Sequence, residues 1–139
     1  MKLVFGYDGS DSSKNALALV QKHAAEINAK VYIITSLAGE HSLQARAEKI
    51  VKGVDAVKEA EALLEFAQHA LTKDGIACET HLLIRGLDPA EDIVKFARDV
   101  AADFIVVGAG KPLRAGTKNT SASTQQVILD APCAVITTK

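Results

Sequence analysis

The residues best suited to chemistry on an anion follow the apolar run Phe104–Val107. Gly108, Gly110, Thr120, Ser121 and Ser123 are small or hydroxylated, and Lys111, Arg114 and Lys118 add positive charge with no acidic residue before Asp130. Small residues let a phosphate approach the backbone, and a lysine supplies a mobile point charge. A second candidate follows the first apolar run, where Asp8, Gly9 and Ser10 set a carboxylate at a strand-to-helix junction. Asp-Gly-Ser is also ordinary turn chemistry. It gains meaning only if the fold carries it to the Gly108 loop.

The positioning elements read as five strand patterns alternating with helix patterns. Leu3–Tyr7, Val31–Ile34, His81–Ile84, Phe104–Val107 and Ala134–Ile136 are short apolar runs, continuous as in strands covered on both faces. The first helix pattern places Leu17, Val20, Ala24 and Ile27 on one face, with Ser10 or Asp11 as its cap. Residues 38–52 read as loop passing into helix. From Val54 a firmer helix turns Val57, Leu64, Ala67 and Leu71 inward and stops at Asp74-Gly75. Pro89 suits the first turn of a helix burying Ile93, Phe96, Ala97 and Val100, and a last helix runs near residues 120–130.

Strands joined through helices pair in parallel by right-handed crossovers. The expected fold is therefore α/β, one doubly wound five-stranded parallel sheet in the order 3-2-1-4-5 with helices on both faces, spanning residues 1–139. Its topological switch lies between strands one and four, which brings Asp8-Gly9-Ser10 beside Gly108-Ala109-Gly110. Open α/β sheets bind ligands in such a crevice.

Composition narrows the function. The chain of 139 residues carries 16 Lys and Arg against 17 Asp and Glu, a net charge of -1 that gives no electrostatic case for nucleic acid or an anionic membrane. With no Trp and 4% aromatic residues, it lacks material for a base-stacking platform. No apolar run reaches membrane-spanning length, and Met1-Lys2 leads straight into a strand pattern, so the expected location is the cytoplasm. Cys78 and Cys133 are expected reduced, at opposite edges of the sheet. His23, His41, His69 and His81 stand in separate segments, so no metal site is expected. No G-x-S-x-G elbow orders a catalytic triad, and no catalytic residue is assigned.

Three phosphate fingerprints fit poorly. Leu113 holds the third Gly of a dinucleotide motif, Pro112 follows Gly110-Lys111 where a P-loop needs Ser or Thr, and YDGSDS only partly echoes the S-G-G-x-D-S loop of ATP pyrophosphatases. A fourth pattern fits better. Gly, two residues, Gly, nine residues, Gly and Ser or Thr falls without a gap on Gly108, Lys111, Ser121 and Ala122; RGLDPAEDI, SASTQQVIL and APCAV accompany it. In these the chain resembles the universal stress protein family, over nearly its whole length.

That resemblance implies an adenine nucleotide alpha hydrolase-like fold and a crevice for ATP or AMP with magnesium. It implies that Asp8 reaches the ribose or a metal-bridged phosphate and that the backbone near Ser36 meets adenine. Only Gly108 of the four motif positions keeps the family's residue; Gly110 adjoins Lys111, and Thr120 adjoins the lost hydroxyl. The reading is a small regulatory or sensing module whose ATPase activity, if any, is slow. The alternatives are a structural or signalling dimer that binds no nucleotide, and, ranked last, an adenylating enzyme of the ATP pyrophosphatase type. Ala134, Val135 and Ile136 would form an uncovered edge strand, which invites the same edge of a second copy. The resemblance implies that same homodimer.

Overall fold

Continuous apolar runs form the central strands because both their faces are covered. The computed structural model describes residues 1–37, 43–84, 88–110 and 122–139, with backbone alone at 43–55 and 122. Along the chain run β1 (Lys2–Gly6), α1 (Asp11–His23), β2 (Lys30–Ser36), α2 (Leu43–Lys73), β3 (Cys78–Leu83), α3 (Pro89–Asp99), β4 (Phe104–Gly108), α4 (Ala122–Asp130) and β5 (Ala134–Thr138). The sheet order is β3-β2-β1-β4-β5, and every pairing is parallel. This is the expected topology.

Strand residues alternate strictly between two cores. Leu3, Phe5, Val31, Ile33 and Val106 meet Leu17 and Val20 of α1 and Leu64, Ala67 and Leu71 of α2. Val4, Tyr32, Ile34, Ile105 and Val107 meet Ala90, Val94 and Ala97 of α3 and Val127 of α4. Phe5, Ile33 and Ile105 are completely buried, and each such side chain contributes roughly 1.5–3 kcal/mol. The register Val4↔Ile105 fixes how far the ends of β1 and β4 project, and so sets the mouth of the crevice.

Local chemistry fixes the element ends. Ser10 caps α1 by accepting from the Ser13 N–H. Asp88 caps α3, accepting from Ala90 at 2.8 Å and Glu91 at 3.2 Å, with Pro89 in the first turn. Gly75, at φ +73°, ends α2 as the sequence indicates. Two particulars differ from expectation, at Ile27 and Ile84. Helix α1 stops at His23, and Asn28 at φ +50° turns the chain, so Ile27 lies past the helix and is 39% exposed. Helix α2 begins at Leu43, inside the segment with no clear pattern, while residues 38–42 lie outside the described residues. Ile84 falls beyond β3 and is exposed. Cys78 opens β3 and Cys133 precedes β5, both as free thiols. Among the described residues no helix is long and apolar enough to cross a membrane.

Candidate functional site

At the carboxyl ends of β1, β2 and β4 the sheet opens into a cleft of about 280 Å³. Its position is the switch point, where α1 leaves on one side of the sheet and α3 and α4 cover the other. Asp8, Ser36, Gly108, Gly110 and Ser123, named as candidates from the sequence, line it. Gly9 and Ser10 are not in its wall but build the turn that supports it. Gly9 sits at φ +79°, and a Cβ there would meet Leu63 Cδ2 at 2.7 Å. Lys111, Thr120 and Ser121, with Arg114 and Lys118, lie outside the described residues.

The β1–α1 turn is tightly wired. The Ser10 N–H donates to Asp8 Oδ1 at 2.9 Å, and the Ser13 hydroxyl donates to the Ser10 carbonyl at 2.9 Å. Partial burial pushes the Asp8 carboxyl up, but hydrogen bonds from Ser10 and Ser13 outweigh it and hold the group below its ordinary value. Asp8 is thus kept as a carboxylate facing the cleft. Tyr7 behind it is buried, and that burial, followed by the Asp8 charge, raises its phenol. The Thr35 hydroxyl donates to the Tyr7 carbonyl at 2.8 Å and ties the end of β2 to that of β1.

Gly108 is required by close packing. A Cβ there would lie 2.5 Å from Ser12 Oγ and 2.7 Å from the backbone of Ser12 and Ser13. The first turn of α1 therefore rests directly on the end of β4. Gly110, at φ +73°, donates its N–H to Ser12 Oγ at 3.0 Å, and Ala109 donates to the Thr138 carbonyl. The Thr124 hydroxyl donates to the Gly108 carbonyl at 2.9 Å, anchoring the start of α4. Ser12, Ser13, Thr35 and Thr124 escaped the sequence reading because a lone hydroxyl inside a helix or strand pattern carries no signal. The tight approach of Gly108 to α1 is the sign that could have found Ser12.

Asp92 was also missed. It lies on α3, completely buried, and accepts from the Ser36 hydroxyl at 2.5 Å. Beside Ser36 the wall becomes apolar, with Ile34, Pro89 and Ile93. The lining is therefore mixed: Gly108, Gly110, Ser123 and Thr124 bring glycines and hydroxyls, with Val107 and Val127 beside them, while Ser36 and Thr35 bring oriented hydroxyls next to Ile34, Pro89 and Ile93. The histidines stay apart: His23 is beside Glu26 at 3.4 Å, His69 is on the exposed side of α2, and His81 packs 4.8 Å from the Phe96 ring. His41 is outside the described residues.

At the other side of β4, β5 has β4 as its one neighbour among the described residues. Ala134 and Ile136 are exposed, whereas Val135 is half-buried against the α3–α4 core. Ile136 also walls an apolar groove of about 350 Å³ with Leu19, Ile27 and Phe104.

Comparison with known proteins places this arrangement. The model of the Universal stress protein family matches residues 1–139. A Thermus aquaticus relative, the universal stress protein in the QAH/OAS sulfhydrylase 3′ region, is 29% identical over 140 residues, covering 96% of this chain and 95% of its own. The structure of a universal stress protein from Archaeoglobus fulgidus is 33% identical with a TM-score of 0.76, over 100% of this chain and 93% of that one. A second structure of the universal stress protein from Archaeoglobus fulgidus, in complex with dAMP, is 32% identical with a TM-score of 0.72, over 100% and 98% of the two chains. A parallel sheet in the order 3-2-1-4-5 with a glycine-lined cleft at its switch point, in a chain matched from end to end, belongs to the universal stress protein family.

Proposed function

We propose that the chain is a regulatory module that binds an adenine nucleotide, ATP or AMP, in the switch-point cleft. The observation that carries this reading is a fixed carboxylate, Asp8, gathered with Gly108, Gly110 and Ser123 in one switch-point cleft. Phosphates lie toward Gly108, Gly110 and the stretch Thr120–Ser123, with Lys111 near them. Asp8 faces the ribose or a phosphate-bound magnesium, and the base lies toward Ile34, Pro89 and Ile93 beside Ser36. The related Archaeoglobus fulgidus protein was solved in complex with dAMP, which supports a nucleotide here. The module works in the cytoplasm, assigns its residues to binding rather than to fast catalysis, and pairs through β5 of a second copy by way of Ala134, Val135 and Ile136.

A second reading is favoured by one observation. The N–H groups of Ala109 and Gly110 are already hydrogen-bonded within the chain, to Thr138 and Ser12, so a phosphate would have to compete for them. In that reading the protein is a structural or signalling dimer that binds no nucleotide. Thermal unfolding separates the two: millimolar magnesium-ATP or AMP is expected to raise Tm by about 5 °C. An unchanged Tm with either nucleotide leaves the empty dimer. Once binding is seen, Lys111→Ala is expected to weaken ATP more than adenosine; equal losses remove Lys111 from the phosphate end.

A further inference from the structure

Asp92 and Ser36 form a polar pair beside apolar residues of the cleft wall. Asp92 is fully buried on α3, and its Oδ2 accepts the Ser36 hydroxyl hydrogen at 2.5 Å. Ser36 closes β2 and lines the cleft together with Ile34, Pro89 and Ile93. A serine hydroxyl has one hydrogen and two lone pairs. With its hydrogen directed at Asp92, Ser36 presents lone pairs to whatever occupies this end of the cleft.

We infer that Asp92 makes Ser36 an obligate acceptor and thereby selects a purine bearing an exocyclic amine at its six-position. The inference rests on the nucleotide reading above and extends it to a specificity-determining residue, Ser36, and a positioning residue, Asp92. An amino group donates to Ser36 Oγ. A purine without that amine leaves the serine oxygen against a C–H edge, desolvated and without a donor. The side chains of Ile34, Pro89 and Ile93 sharpen the penalty, because none of them carries a donor that could satisfy the oxygen instead. Ser36 thus reads the base by polarity, and Asp92 sets that polarity from behind without touching the ligand.

The test compares AMP with purine riboside 5′-monophosphate, which lacks only the amine, by calorimetric titration of the full chain. The wild-type protein is expected to bind AMP about tenfold more tightly. In Ser36→Ala the ratio is expected to fall to about one. Asp92→Leu removes the acceptor and frees the serine hydrogen, so it too is expected to lose the preference. Ser36→Thr, which keeps the hydroxyl, is expected to retain it. A merely structural role for the pair would lower both affinities together and leave their ratio unchanged. Equal wild-type affinities overturn the inference, as does an unchanged ratio in Ser36→Ala or Asp92→Leu. If Asp92→Leu does not fold, the Ser36 pair of variants still decides. Failure of both nucleotides to bind is a different result, and it overturns the nucleotide reading together with this inference.

Discussion

Strand β4 has two neighbours of the same parallel type, and the two seams end differently. Toward β1 the strands are buried, and their ends are held by contacts from Ser12, Thr35 and Thr124. Toward β5 the ladder is equally regular, yet Ala134 and Ile136 face outward, and no further strand follows among the described residues. The difference lies in what the chain does next to each seam. At β1–β4 the helices that follow, α1 and α4, lie on opposite faces and leave a cleft between the strand ends. At β5 no further strand pairs among the described residues, which leaves outer backbone groups with Ala134 and Ile136 at the edge. One seam is finished within the chain; among the described residues the other ends in an unpaired edge.

The contrast predicts unequal sensitivity to substitution. Gly108→Val drives a branched side chain into the backbone of Ser12 and Ser13 and is expected to cost about 3 kcal/mol of stability in urea unfolding. A loss under about 1 kcal/mol would mean that α1 can retreat and the seam is not closed. Ile136→Lys is expected to leave the protomer folded while weakening self-association by about 2 kcal/mol, read by light scattering across a dilution series. Ile136 is a cleaner probe than Val135, because Val135 also packs against the α3–α4 core. A wild-type monomer at micromolar concentration would remove the dimer altogether.

The smallest effect concerns Asp8. Its carboxyl is held below the ordinary value of 3.8, so its contribution is complete above that value and lost as pH falls through the lower folded-state value. Asp8→Asn is expected to cost less than about 1 kcal/mol near neutrality, since the group meets water. The stability difference between wild type and variant is expected to shrink below about pH 4. A constant difference down to pH 2 would show that the Ser10 and Ser13 hydrogen bonds do not favour the charged form.

Much of this was legible because strands covered on both faces leave unbroken apolar runs. Val31–Ile34 and Phe104–Val107 identify themselves, and their spacing by helices dictates parallel order. Periodicity misled at Ile27 because it continues one turn past the helix; Asn28, able to adopt positive φ, was the stop signal. The start of α2 was illegible because residues 38–52 show no regular apolar spacing. At the site, Asp8 and Gly108 stood out through turn and glycine chemistry. Asp92 did not, since an acidic residue after Pro89-Ala90-Glu91 reads as a solvated first helical turn. Its burial depends on β2 delivering Ser36 to the same corner, a contact across 56 positions that no local pattern encodes.

Whether the β1–β4 cleft holds a nucleotide is decided by calorimetric titration of the purified protein with magnesium-ATP. Saturable heat with one nucleotide per chain is expected, weakened by Asp8→Ala but untouched by Ile136→Lys. No heat at millimolar nucleotide would contradict it and leave the cleft a structural feature of the sheet.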